Sequence, residues 1–126
     1  MAYEIIWETT GAQFVFKKEA TSENVRQSNK EFALDARFPS AMYALYNLID
    51  VKKFPIVSKD IKKIAEMDAM RYKINPDMKV AIIGTQPVMK GIIYMYNVYF
   101  GLASNTNIWE TKIFDSIDDA RKWIDT

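Results

Sequence analysis

Residues 79–84 read Lys-Val-Ala-Ile-Ile-Gly, an apolar run that begins with a charged residue and ends with glycine. A short, nearly continuous apolar run is typical of a parallel strand that is covered on both faces. Pro87 follows closely and suits the first turn of a helix, which we expect to reach about Ser104. The stretch therefore predicts a strand followed by a helix, the repeating unit of α/β domains.

The chain alternates predicted strands and helices on both sides of this unit. The other predicted strands are rich in aromatic and β-branched residues, and they are Tyr3–Glu8, Gln13–Lys17, Met42–Ile49 (closed by Asp50) and Trp109–Phe114. The other predicted helices each begin at a hydroxyl residue suited to capping, and they run from Thr21 or Ser22 to about Asp35, from Ser58 to about Ile74, and from Ser116 to about Ile124.

The predicted elements follow one another in the order ββαβαβαβα. Thr9-Thr10-Gly11 joins the first two strands so closely that they must be antiparallel. The later strands alternate with helices, which implies parallel pairing through right-handed crossovers. The sequence thus predicts a single α/β domain over residues 1–126, with a five-stranded, mostly parallel mixed sheet and an antiparallel edge strand.

Composition limits the kinds of function open to the chain. A hydrophobic fraction of 49% with 26% charged residues is that of a globular protein rather than a disordered one. Because 17 basic residues nearly balance 16 acidic ones, we expect no nucleic-acid partner. No secretory signal opens the chain, and the longest apolar stretch, Gly91–Leu102, is interrupted by Asn97. We therefore expect a cytoplasmic protein without an integral membrane segment.

Several catalytic and binding motifs are absent from the sequence. The chain has no cysteine and no histidine, which excludes zinc sites made of these residues, cysteine nucleophiles and Ser-His-Asp triads. Its glycines are Gly11, Gly84, Gly91 and Gly101, and their spacing forms neither a dinucleotide nor a phosphate-loop motif. We expect no metal, no cofactor and no enzymatic activity.

The chain resembles the STAS and Sec14-like family of small bacterial proteins, the group related to anti-sigma-factor antagonists. The residues that carry the resemblance span nearly the whole chain, and they are Trp7-Glu8 with Gly11, Thr21, Asp35–Phe38, Asp50-Val51, Lys79–Ile83, Trp109–Asp115 and Ala120-Arg121 with Trp123. The resemblance implies a STAS-like fold and a non-enzymatic regulatory or ligand-binding role.

Two residues are candidates for a switch that the resemblance implies. In antagonist members of the family, a phosphorylated Ser or Thr follows an Asp near the start of the helix after a core strand. Here Asp50 is followed by Val51 and has no hydroxyl beside it, so no phosphorylated residue is carried over from the family. Ser58, eight residues after Asp50, is the nearest candidate. Thr85 lies in a strand-to-helix turn, where it either caps the helix or adjoins backbone N–H groups that receive an anion.

Asp68 is placed on the apolar face of the second predicted helix. An advance of about 100° per residue puts it among Ile61, Ile64, Ala65 and Tyr72. Because an unpaired buried carboxylate is costly, we expect it to have a hydrogen-bond donor. The donor is Tyr72, a backbone N–H or a nearby hydroxyl, or else the carboxylate lines a ligand cleft.

The third predicted helix is apolar around too much of its circumference. A helix on the outside of a sheet needs an apolar stripe of only about 100° for the core. The surplus predicts a protein interface or an apolar pocket, unless the helix is fully buried between the sheet and its neighbours. The candidate interface residues are Met89, Ile93, Tyr94, Tyr96 and Phe100.

Three functions remain open at this point. The first is a regulatory protein-interaction module that binds a protein partner or a second copy of itself as a homodimer. The second is a carrier for a small apolar or lipid-like ligand. The third is a degenerate phosphoacceptor receiver domain that uses Asp50, Thr85 and Lys112. It is the least favoured, because the opening hairpin displaces the acidic residues that phosphoryl transfer needs.

Overall fold

The computed structural model describes residues 2–105 and 107–126 and contains the predicted elements in the predicted order. The strands are β1 (Tyr3–Trp7), β2 (Gly11–Glu19), β3 (Tyr43–Lys53), β4 (Lys79–Ile83) and β5 (Glu110–Phe114). The helices are α1 (Ser22–Leu34), α2 (Ser58–Tyr72), α3 (Pro87–Ala103) and α4 (Ile117–Ile124), and a short 3₁₀ turn spans Phe38–Ser40.

All five strands form one sheet in chain order, β1-β2-β3-β4-β5. β1 is antiparallel to β2 and lies at the edge, whereas the remaining neighbours pair in parallel. The fold class and the antiparallel edge strand are therefore confirmed. None of the helices within the described residues is long and apolar enough to cross a membrane.

The opening hairpin turns tightly beneath an aromatic ring. The Glu8 backbone N–H donates to the Gly11 carbonyl at 2.8 Å and closes the turn. A Cβ atom at Gly11 would lie 2.6 Å from the ring of Tyr43 in β3. Glycine is required here because the neighbouring ring approaches the backbone too closely for any side chain.

β2 and β3 are both longer than the sequence predicts. Their parallel pairing continues past two register shifts, between Val15 and Lys17 and between Lys18 and Glu19, and Lys18 has a positive φ of 67°. These irregularities interrupt the alternation of apolar and polar residues, so the pattern does not reveal where the strands end. The prediction that Asp50 closes its strand is wrong, because it lies inside β3 opposite Lys17.

The sheet has a different helical cover on each face. Consecutive right-handed crossovers place α1, α2 and α3 on one face, where α2 packs against both neighbouring helices. α4 packs on the opposite face against β3, β4 and β5. The larger core lies under α1–α3 and includes Phe14, Phe16, Phe32, Val80, Met89 and Phe100. The smaller core, under α4, includes Leu45, Ala81, Ile83 and Ala120.

Two predicted N-terminal caps are confirmed by their hydrogen bonds. Thr21 Oγ1 accepts from the backbone N–H of Asn24 at 3.1 Å, and α1 begins at the following residue. Ser116 Oγ accepts from the backbone N–H of Asp119 at 3.2 Å at the start of α4. Each hydroxyl satisfies a donor that the first helical turn leaves unpaired.

Two other predicted caps are wrong. Val57 has the extended backbone of the cap position of α2, so Ser58 is already the first helical residue. Gln86 occupies the cap position of α3, which leaves Thr85 outside the helix. In both cases the hydroxyl is one residue out of register with the cap position, and the cap residue makes no side-chain hydrogen bond.

Candidate functional site

A buried polar network joins the three helices to the sheet around Asp68. Asp68 is 3% exposed, and its Oδ1 accepts from Arg71 Nη1 at 2.8 Å. Its Oδ2 accepts from the Tyr96 hydroxyl at 2.7 Å and from Asn29 Nδ2 at 3.0 Å. The Tyr46 hydroxyl donates to Asn29 Oδ1 at 2.7 Å. We call these five residues the Asp68 network.

The Asp68 network is satisfied from within the chain. Burial raises the pKa of Asp68, while the hydrogen bond from Tyr96 and the charge of Arg71 act in the opposite direction. Burial and the nearby Asp68 charge hold the pKa of Tyr46 and Tyr96 well above the usual value, so both phenols are protonated donors at neutral pH. Among the described residues, no buried side-chain nitrogen or oxygen lacks a hydrogen-bond partner.

The partners of Asp68 differ from one that the sequence suggested. Asp68 is buried and hydrogen-bonded as its helical position predicts, but Tyr72 is not its donor. The ring of Tyr72 instead packs edge-to-face against Phe100 and Trp109, with centroids 5.7 and 5.9 Å away. Asn29 was not predicted as a partner of Asp68. Its position beside the apolar stripe of α1 does indicate that its amide is buried and needs a hydrogen-bond partner.

A cavity of about 130 Å³ that is partly open to solvent lies beside the Asp68 network, between the sheet and α1–α3. Its wall is almost entirely carbon. Residues of α1 (Val25, Ala33), of α3 (Ile92, Ile93) and of β3 (Leu48) contribute apolar side chains to it. Asp68 lies in this wall, which agrees with the prediction that its carboxylate lines a ligand cleft.

α3 presents a second, solvent-facing apolar surface. Tyr94, Val98 and Leu102 follow one another at four-residue spacing and are 71%, 45% and 75% exposed. Gly91 is also exposed and lies on the same side of the helix. We call these four residues the outer face of α3. An outward helix face is usually polar, whereas on this side of α3 the exposed Lys90 is followed by three exposed apolar residues in a row.

The structure corrects the predicted interface set. Met89 and Phe100 are 2% and 1% exposed and belong to the core, so they cannot form an interface surface. Ile93 and Tyr96 are half-buried and line the cavity. Of the five predicted residues, Tyr94 alone lies on the outer face. Met89 and Phe100 point at the sheet because they are on the opposite side of the helix from Tyr94.

The three candidate switch or anion residues are exposed and lie on different segments. Asp50 is inside β3, Ser58 begins α2, and Thr85 is between β4 and α3. Within residues 2–105 and 107–126, none of their side chains is hydrogen-bonded to another of the three. The described part of the chain also holds no group of three or more carboxylates that could bind a metal ion.

A further cluster on the α4 side ties that helix to the hairpin. Arg121 donates from Nη1 to Glu8 Oε1 at 2.5 Å and from Nη2 to Oε2 at 2.7 Å, a bidentate ion pair. The Tyr43 hydroxyl donates to the same carboxylate. The hydrogen bond from Arg121 is the main cause that lowers the pKa of Glu8. These residues are far apart in sequence, and no local pattern reveals the pair.

Comparison with known proteins gives structural likeness alone. No family model matches the chain, and no curated protein matches it. An uncharacterized protein of the DUF3478 family with a SpoIIAA-like fold, from Shewanella loihica, is 18% identical with a TM-score of 0.56, over 98% of this chain and 92% of that one.

Two structures of SpoIIAA are also similar. The anti-sigma factor antagonist SpoIIAA in its unphosphorylated form is 10% identical with a TM-score of 0.61, over 98% of this chain and 96% of that one. The Bacillus cell fate determinant SpoIIAA in its phosphorylated form is 10% identical with a TM-score of 0.58, over 98% and 99%. At these identities the likeness establishes the fold, and the chain has the SpoIIAA-like, STAS-like architecture.

Proposed function

From the SpoIIAA-like fold we propose that the chain is a non-enzymatic regulatory module of the STAS type that acts in the cytoplasm by binding protein, and that it self-associates. The single observation that carries the proposal is the outer face of α3. Tyr94, Val98 and Leu102 expose a contiguous apolar stripe that the fold itself does not need. Exposed apolar patches on small soluble domains commonly mark interaction sites.

The partner that fits this surface best is a second copy of the chain. Tyr94, Val98 and Leu102 are uncharged and form the centre of this surface, and the exposed Lys90 continues their row at its N-terminal end. A Cβ atom at Gly91 would meet no heavy atom within 4 Å, which leaves room for a close approach of a second helix. In a two-fold dimer each copy contributes the same patch, and an uncharged apolar stripe is complementary to itself.

Cysteine cross-linking tests this surface directly, because the chain contains no cysteine of its own. We expect Val98→Cys to give a cross-linked dimer with a short bismaleimide. The matched control is Lys122→Cys, which is exposed on α4, on the other side of the sheet. Equal cross-linking of both variants would show random collision, and no cross-linking of Val98→Cys would remove the outer face as the contact.

We propose Ser58 as the residue through which this module is switched. The serine is exposed and is the first residue of α2, where unpaired backbone N–H groups and the helix dipole favour a negative charge. Lys62 lies one turn further along the same helix and would attract a phosphate group, whereas Asp60 in the first turn would repel it. Asp50 and Thr85 are less suited, since neither lies in the first turn of a helix.

A second function, the carriage of a small apolar ligand, is favoured by the cavity. The space between the sheet and α1–α3 is lined by carbon atoms and adjoins the Asp68 network. A carrier and an interaction module are compatible because α3 borders the cavity with one side and solvent with the other. The chemistry of such a ligand follows from the cavity wall.

A further inference from the structure

We propose that the cavity under α1–α3 binds an uncharged apolar molecule about as large as one aromatic ring, and that it excludes the same molecule when it carries a charge. This inference rests on the ligand-carrying function above and is independent of self-association. Its basis is the size of the cavity and the hydrogen bonding of the polar groups in its wall to one another.

The size of the cavity sets the size of the ligand. Its volume of about 130 Å³ is close to that of an engineered cavity of about 150 Å³ that stays dry and binds benzene or xenon. The atoms that line an apolar space lack contact partners on one side, so an apolar guest gains dispersion contacts with them. A ligand of about six heavy atoms, the size of benzene, fits this space.

The charged groups of the wall are paired with each other. Among the lining residues, Arg71 and Asp68 are the charged ones, and they are paired with each other at 2.8 Å. The second carboxylate oxygen of Asp68 already accepts from Tyr96 and Asn29. An anion would have to compete with Asp68 for Arg71, and a cation would have to compete with Arg71 for Asp68.

The apolar remainder of the wall makes the same discrimination. Phe16, Phe32, Leu48, Ile64 and Ile82 are among the residues that surround the space. A charge moved from water to such surroundings without a partner costs several kcal/mol, whereas an apolar ring gains from the same transfer. The cavity should therefore separate ligands by charge even where their shape is alike.

The test is a charge series built on one ring, with benzene, benzoate and benzylammonium added to the purified full chain at pH 7. Binding is followed by ligand proton NMR and by tryptophan fluorescence, to which Trp109 in the cavity wall contributes beside Trp7 and Trp123. We expect saturable binding of benzene, and binding of both ions that is weaker by about 100-fold or more. Benzoate or benzylammonium binding as tightly as benzene would overturn the charge argument.

Two variants locate the site. Ala33→Leu and Val25→Leu each add carbon atoms to the cavity wall and should weaken benzene binding by about tenfold. Ala103→Leu is the control, because Ala103 is exposed and outside the wall, and it should leave binding unchanged. Absence of benzene binding to the wild type, or equal binding by the folded variants and the wild type, would overturn the proposal. Neither result bears on self-association, which the Val98→Cys cross-link reports separately.

Discussion

The Tyr96 hydroxyl donates to Asp68 Oδ2 at 2.7 Å and so joins α3 to α2 inside the larger core. Tyr94, two residues earlier on the same helix, is 71% exposed. The two tyrosines therefore mark the two sides of α3. One side belongs to the buried network and the cavity, and the other is the apolar surface that we assign to binding.

The contrast between these tyrosines gives a matched pair of variants. Tyr96→Phe should lower the free energy of unfolding by about 1–2 kcal/mol, because Asp68 loses a donor where water cannot replace it. Tyr94→Phe should change it by less than about 0.5 kcal/mol, since an exposed hydroxyl is hydrated in both states. Urea denaturation measures both values. Equal effects of the two substitutions would contradict the network described here.

Two glycines should respond in opposite directions to the same substitution. Gly11→Ala would place a Cβ atom 2.6 Å from the Tyr43 ring, and Tyr43 is itself held by Glu8. We expect a loss of about 1–3 kcal/mol in the free energy of unfolding. Gly91→Ala meets open space in a helix and should gain about 0.5–1 kcal/mol. Thermal and urea denaturation test the signs, and a stabilising Gly11→Ala would refute the tight approach.

The Glu8–Arg121 ion pair predicts a dependence of stability on pH. Arg121 lowers the pKa of Glu8 below the ordinary value of 4.5, so the folded chain holds this proton less tightly than the unfolded chain. The stability that the pair contributes is present above pH 4.5 and is lost as the pH falls through the lower, folded value. It is absent below that value.

Glu8→Gln is the variant that isolates this contribution. At pH 7 it should lower the free energy of unfolding by about 1 kcal/mol, a modest value because both side chains are partly exposed. The difference between wild type and variant should shrink as the pH is lowered below 4.5. Urea denaturation across this range measures it, and a difference that grows on acidification would show that the pair does not carry the effect.

Ser58 should be the residue that receives a phosphate group if the chain switches as proposed. Mass spectrometry of the protein isolated from its native host should find the group on Ser58, and Ser58→Ala should remove it. Ser40→Ala is a suitable control, because Ser40 is also exposed but ends the 3₁₀ turn rather than beginning a long helix. Phosphate found at Ser40 and absent from Ser58 would contradict the assignment.

Local patterns predicted the order of the elements, because each strand and helix has its own apolar period. The same patterns could not predict the length of β3, since its last residues pair across register shifts that no local alternation records. Caps at Thr21 and Ser116 were predictable, whereas Ser58 and Thr85 were misassigned by one position. A hydroxyl near a helix start does not specify which residue has the extended backbone of the cap.

The candidate site was only partly predictable for a related reason. Helical periodicity placed Asp68 in the core, but its partners Asn29 and Tyr96 come from other helices and depend on tertiary packing. Periodicity also showed that α3 has surplus apolar surface, without showing which side faces the sheet. Met89 and Phe100 were therefore predicted at an interface although they belong to the core.

The most direct test of the central claim is sedimentation velocity of the purified chain at tens of micromolar, beside Leu102→Glu. Leu102 is 75% exposed and makes no contribution to the core, so the variant should fold as the wild type does. The account predicts a wild-type dimer and a monomeric variant. Dimerisation through the outer face of α3 would bring the two introduced carboxylates together without a partner, which opposes association. A monomeric wild type, or a dimer that Leu102→Glu leaves intact, would contradict it.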